Sequence, residues 1–257
     1  MAPADALPYV NWLFWATLTG GTVGVVTATE VVGGTTRGYG VFMSWVVAVA
    51  AGVLVASALA LPGAAARSLA IVLSVAIAVV CIVHLAATVV RLPRAALGAA
   101  ASLGAVTAAA VIALTTVERA PAPLLVADVL VTALALGSVT AGMLLGHWYL
   151  VTPRLSPQPL RRMVWLLVAS LTAEAALFAL SLSMAPGDAV GVPFGWLTWL
   201  RLLAGTVLPL VVATLALLAT RAVSLQATTG LLYVALALVA AGSIAGSSIT
   251  YLTGVPV

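Results

Sequence analysis

Eight long apolar runs, separated by short loops rich in proline, glycine and arginine, constrain this chain more than any other feature. A helix that crosses the hydrocarbon core of a membrane needs about 20 mostly apolar residues. Because lipid offers no partners to backbone N–H and C=O groups, each run is expected to form a helix. The predicted helices lie near residues 10–34, 41–62, 69–91, 95–117, 124–152, 162–185, 196–220 and 226–252.

The composition supports a membrane location, since 64% of the residues are hydrophobic and only 6% are charged. A soluble domain of this composition would expose large apolar patches to water. We therefore predict an all-α, multi-pass protein of the cell membrane, with residues 1–257 as one transmembrane domain in contact with lipid. Its positive charges are scattered between the apolar runs, which argues against a nucleic-acid partner. A lone cysteine, Cys81, excludes an internal disulfide.

The arginines predict the orientation of the bundle. Eight helices place both termini on one side, and the loops on the other side hold most of the arginines, namely Arg37, Arg91, Arg94, Arg154, Arg161, Arg162 and Arg221. The side of the termini holds Arg67, Arg119 and Arg201. Because cytoplasmic loops are enriched in arginine and lysine, both termini are expected outside the cell.

Few ionisable residues remain inside the predicted helices, and each is a candidate for function because charge is costly in hydrocarbon. Glu30, His84 and His147 share one pattern, since an arginine follows each of them by seven residues. All three lie on odd-numbered helices, which run in the same direction. They are therefore predicted to form one layer, about 10 Å from the arginine level.

Two histidines at one depth are what a bis-histidine haem b requires, so His84 and His147 are predicted to ligate its iron. Two arginines would bind the propionates and two glycines would leave room for the porphyrin edge: Arg91, Arg154, Gly142 and Gly146. Two alternatives stay open. Glu30 and both histidines could form a non-haem iron site, or the histidines could only hydrogen-bond neighbouring helices.

The same region also has the side chains that a quinone site needs. His147, Trp148, Tyr149 and Glu30 would supply a hydrogen-bond donor, aromatic surface and a proton-exchanging acid for menaquinone or ubiquinone. Trp148 and Tyr149 are equally typical of the aromatic belt at a membrane interface.

Glu174 lies twelve residues after Arg162, which places it roughly 18 Å along its helix and near the middle of the bilayer. Burial there favours the neutral acid unless a cation or water is close. A proton relay and a protonated structural glutamate are both consistent with this position. Pro209 is predicted to kink the seventh helix, and broken helices near the membrane centre are typical of secondary transporters.

These features predict a cytochrome b-like or quinone-reactive subunit of a respiratory electron-transfer complex. Because the chain shows no second redox centre, a partner redox subunit is expected. The alternative is a cofactor-free structural or anchoring subunit, and the third hypothesis is a secondary transporter.

Overall fold

The computed structural model describes residues 3–117, 120–152, 155–184 and 195–256. The described residues form a bundle of helices. The helices are α1 (Pro3–Val32), α2 (Arg37–Ala58), α3 (Ala64–Val90), α4 (Ala95–Thr116), α5 (Ala122–Val151), α6 (Gln158–Met184), α7 (Gly195–Leu202), α8 (Leu208–Arg221) and α9 (Leu225–Thr253). A π-helical turn at Leu203–Val207 joins α7 and α8 into one rod.

Seven helices within the described ranges are long and apolar enough to cross a membrane, the α7–α8 rod being one of them. This agrees with the predicted multi-pass membrane protein and roughly with its eight helices. The remaining long helix, α1, has 30 residues and mixes threonine and glycine among its apolar residues. It packs against α2, α4, α5 and α9, and its buried threonines face those helices. The threonines and glycines of α1 are therefore consistent with its central position in the bundle.

The predicted boundaries differ most where helices begin, because α1, α2 and α3 start at residues 3, 37 and 64 and not at 10, 41 and 69. Apolar runs mark the hydrocarbon layer, whereas a helix continues until its backbone is capped. At α2 the cap is Thr36, whose hydroxyl accepts the N–H of Tyr39 at 3.3 Å.

Small residues bring the helices into close contact. A Cβ at Gly21 of α1 would overlap the carbonyl of Ala133 on α5, and a Cβ at Gly20 would lie 3.0 Å from Ala105 on α4. Such contacts are typical of membrane helices, where close packing replaces the hydrophobic effect. Gly20 and Gly21 therefore serve helix packing.

The chain direction gives the bundle two distinct ends. We call the end at which α1 and α3 finish and α2 and α4 begin the arginine-rich end, since Arg37, Arg91 and Arg94 lie there. The opposite end, at which α1 begins and α9 finishes, is called the terminal end. The described residues form one ion pair toward each end.

Candidate functional site

A buried ion pair joins α6 and α7 inside the bundle. Nη1 of Arg201 lies 3.2 Å from Oε2 of Glu174, and the two side chains are only 2% and 1% exposed. Arg201 follows the start of α7 by six residues, and Glu174 precedes the end of α6 by ten. At about 1.5 Å per residue, both lie well inside the bundle from the terminal end. Charges at this depth are costly and are usually functional.

The pair leaves polar atoms unsatisfied. Among the described residues, neither Oε1 of Glu174 nor Nε of Arg201 has a hydrogen-bond partner, although both atoms are buried. A buried group in this state costs free energy, and it often indicates a water, ion or ligand at the site. The pair therefore has the capacity to bind a further group.

A second acid lies near this pair. Asp128, six residues into α5, is within electrostatic range of Arg201 and Glu174. We call Asp128, Glu174 and Arg201 the ion-pair cluster. With both acids ionised the cluster has one net negative charge, so one bound proton makes it neutral.

The backbone next to Arg201 is irregular. Pro209 has no N–H to donate to the carbonyl of Gly205, four residues earlier, and Nη1 of Arg201 lies 3.4 Å from that oxygen. The hydroxyl of Thr206 donates to the carbonyl of Arg201 at 3.1 Å. The irregularity predicted at Pro209 is therefore a π-turn just before the proline, and such turns are frequent at functional sites.

The position of Arg201 corrects the sequence-based interpretation, which counted it among the arginines at the terminal side and not among the ionisable residues inside the helices. It lies inside a helix and is 1% exposed. The missed signal is that Arg201 lies between apolar residues, two positions after Trp199 and directly before Leu202 and Leu203, without a turn residue beside it. The neutral form of Glu174 was expected unless a cation or water was close. Arg201 is such a cation.

The second ion pair lies at the arginine-rich end. Arg94 donates to both carboxylate oxygens of Glu30, at 3.0 and 2.9 Å. The seven-residue spacing predicted that Arg37 lies about two turns beyond Glu30, on the same face if the helix continues that far. The helix does not, because α1 ends at Val32 and Arg37 begins α2, and Nη2 of Arg37 donates to the carbonyl of Val89 at 2.9 Å.

His84 lies close to this second pair. Its side chain is buried, its Nδ1 has no hydrogen-bond partner among the described residues, and it is within electrostatic range of Glu30 and Arg94. Glu30 and His84 therefore lie near one another at the arginine-rich end. Arg91 directly follows the last residue of α3, Val90, and adopts a left-handed conformation with φ of 65°.

His147 lies elsewhere in the bundle. It is exposed, and its Nδ1 is 3.5 Å from the hydroxyl of Tyr233 on α9. The next residue, Trp148, points toward α2, with its ring centroid 6.1 Å from that of Phe42. Tyr149 donates its hydroxyl to the carbonyl of Ser156 at 2.7 Å. The stretch thus anchors α5 to α2, to α9 and to its own following loop.

The structure does not bring His84 and His147 together. Helix α3 packs on α2 and α4, whereas α5 packs mainly on α1, α6 and α9. The space expected for a porphyrin edge is also filled, since a Cβ at Gly146 would lie 2.5 Å from the Thr229 hydroxyl and one at Gly142 would lie 3.6 Å from Met163. These residues do not fit a bis-histidine haem within one chain.

The three-ligand alternative has no support either. Within the described ranges no group of three histidine, cysteine, aspartate or glutamate residues could hold a metal ion, although Glu30, His84 and His147 all fall in those ranges. Arg154, the second predicted propionate ligand, lies outside the described residues.

Comparisons with protein-family models, with curated proteins and with solved structures found no match to this chain.

Proposed function

We propose that this protein is a secondary transporter that carries protons across the membrane down their electrochemical gradient, with the ion-pair cluster as its proton-exchange site. The observation that supports this proposal is the buried pair of Glu174 and Arg201, whose Oε1 and Nε find no hydrogen-bond partner in the part of the chain that the structure describes. A charge pair that is only a structural link between helices would be expected to use its remaining hydrogen-bonding atoms.

The chemistry of the cluster suits proton exchange. While Glu174 is ionised, Arg201 binds it, and the two buried charges compensate one another. A proton on Glu174 removes its charge and releases the guanidinium toward Asp128 or toward the carbonyl of Gly205, which is already 3.4 Å from Nη1. Protonation thus changes the partner of Arg201, which is the two-state behaviour that coupling requires.

The helix break supports the same proposal. Irregular backbone at membrane depth is tolerated where it is buried in protein or lines a cavity, and transporters place ion and substrate sites at such breaks. The π-turn lies between Arg201 and Pro209 and packs closely on α9 at Gly242. A change in the bonding of Arg201 would therefore act directly on the least regular part of this rod.

Voltage-driven proton uptake into proteoliposomes tests the proposal. A potassium gradient with valinomycin supplies the potential, and an enclosed pH-sensitive dye reports proton entry. Wild-type protein should acidify the lumen faster than protein-free liposomes, and Glu174→Gln should abolish the difference. Glu30→Gln is the matched control, because it removes the same charge from the other glutamate–arginine pair, and it should retain uptake.

Two results would contradict this function. One is uptake by Glu174→Gln at the wild-type rate, and the other is wild-type uptake no faster than in protein-free liposomes. Size-exclusion profiles of all variants in detergent establish that lost uptake is not lost folding.

A second candidate is the quinone-reactive redox subunit predicted from the sequence, and one observation favours it. The Nδ1 of His147 and the hydroxyl of Tyr233 lie 3.5 Å apart on the exposed surface of α5 and α9. An imidazole nitrogen and a phenol hydroxyl on an exposed surface could hydrogen-bond one carbonyl of a membrane quinone. Saturable quenching of tryptophan fluorescence by menaquinone or ubiquinone, lost in His147→Ala, would support this function. A reduced-minus-oxidised spectrum of the purified protein tests for haem.

A further inference from the structure

A cavity of about 440 Å³ opens at the arginine-rich end, away from the ion-pair cluster. Three separate segments contribute to it: the end of α1 with the loop that follows, the start of α2, and the connection from α3 to α4. The residues that line it are Glu30, Thr35, Thr36, Arg37, Arg91 and Arg94. Every lining residue is polar, which is unusual in a chain with only 6% charged residues.

The cavity has an excess of positive charge. Three arginines and one glutamate leave two positive charges in excess. Glu30 compensates Arg94 through both of its oxygens, whereas the acceptor for Arg37 is the uncharged carbonyl of Val89. Arginines that converge without a counter-charge repel one another, and this repulsion is relieved by a bound anion.

The backbone adds hydrogen-bond donors with partial positive charge to the same cavity. Helix α2 has 22 residues and begins at Arg37, with Thr36 as its N-cap. Thr36 accepts the N–H of Tyr39 on its hydroxyl and that of Gly40 on its carbonyl. The N–H groups of Arg37 and Gly38 belong to the first turn, which has no intrahelical acceptors and has the positive end of the helix dipole.

We propose that this cavity binds a phosphate group, with Arg37 and Arg91 as its main ligands and the start of α2 as a further donor. A phosphate has one or two negative charges, which matches the excess of two positive charges in the cavity. Guanidinium groups pair with phosphate through two parallel hydrogen bonds. The phosphate could belong to the headgroup of an anionic phospholipid or to a soluble phosphate compound, since the cavity lies where four helices end or begin.

Thermal unfolding in neutral detergent tests the proposal with two probes, inorganic phosphate and phosphatidylglycerol, and phosphatidylcholine serves as the zwitterionic reference lipid, whose phosphate is already neutralised by its choline. At least one of the two phosphate probes should raise the unfolding temperature of the wild-type protein. Arg91→Gln should weaken that probe's apparent affinity about tenfold or more, as expected for a lost hydrogen bond between charged groups.

Arg161→Gln is the matched control. Arg161 lies at the same end but outside the cavity, and its side chain is hydrogen-bonded to Gln158. This variant therefore loses the same charge and should keep the wild-type affinity for the phosphate probe.

Stabilisation by phosphatidylglycerol but not by inorganic phosphate identifies a lipid headgroup, and stabilisation by inorganic phosphate identifies a soluble phosphate. No stabilisation by either, or equal losses in Arg91→Gln and Arg161→Gln, would overturn the proposal. A proton-uptake defect in Glu174→Gln has no bearing on this result, so the two proposals fail independently.

Discussion

Arg201 offers its Nη1 to the carbonyl of Gly205 at 3.4 Å, the carbonyl that Pro209 leaves without a helical donor. The same nitrogen lies 3.2 Å from Oε2 of Glu174. One guanidinium therefore links a backbone irregularity in the α7–α8 rod to an acid on α6. A change in the charge of Glu174 would therefore act on this irregular segment through Arg201.

The ion pair should show strong coupling in a double-mutant cycle. Glu174→Leu and Arg201→Leu each leave one buried charge without a partner, so each should lower the free energy of unfolding by about 3–5 kcal/mol. The double variant should lose much less than the sum, because it leaves no buried charge. Unfolding in mixed detergent micelles provides the measurement. Losses that simply add would mean that the two charges do not depend on one another.

The contact between the α7–α8 rod and α9 should not tolerate a methyl group at Gly205. A Cβ there would lie 2.6 Å from the Cα of Gly242, so Gly205→Ala should lower the free energy of unfolding by about 1–3 kcal/mol through overpacking. Gly230→Ala on α9 is the control, since a Cβ at Gly230 meets no atom within 4 Å. A loss of stability in Gly230→Ala as large as in Gly205→Ala would contradict the packing argument.

One buried hydrogen bond toward the terminal end of α1 should contribute measurably to the free energy of unfolding. The indole Nε1 of Trp12 donates to the hydroxyl of Ser74 on α3 at 3.0 Å, and both residues are fully buried. Ser74→Ala leaves the indole N–H without this acceptor, which should cost about 1–3 kcal/mol. Ser57→Ala should cost less, because the Ser57 hydroxyl donates to the carbonyl of Leu54 in its own helix. Similar unfolding temperatures for the two variants would argue against the Trp12–Ser74 bond.

The predicted orientation can be tested by cysteine labelling. The only native cysteine, Cys81, is fully buried, so Ser156→Cys in the exposed loop between α5 and α6 gives one accessible thiol. With the arginine-rich end in the cytoplasm, a membrane-impermeant maleimide should label intact cells only after permeabilisation. Labelling of intact cells would mean that the orientation is opposite to the predicted one and that the phosphate cavity lies on the outer face.

Much of the fold could be predicted from the sequence because the determining forces act along the chain. The predicted range 95–117 is Ala95–Thr116 in the structure, and 226–252 is Leu225–Thr253. Apolar length and the need to satisfy backbone hydrogen bonds in lipid decide these segments without reference to their neighbours. The candidate site was predicted less well, since Glu174 was identified but its partner Arg201 was counted only as an arginine of the terminal side.

The sequence by itself thus determined an all-helical membrane protein, its helical segments and the small set of polar residues within them. Only the tertiary structure decided which of those residues meet. Glu30 pairs with Arg94 and not with Arg37, His84 and His147 lie on helices with different neighbours, and Arg201 turns inward to Glu174. The physical reason is that each of these outcomes depends on how a helix is rotated about its axis and which helix packs beside it. Those choices are set by close packing between residues far apart in sequence, such as Gly205 against Gly242.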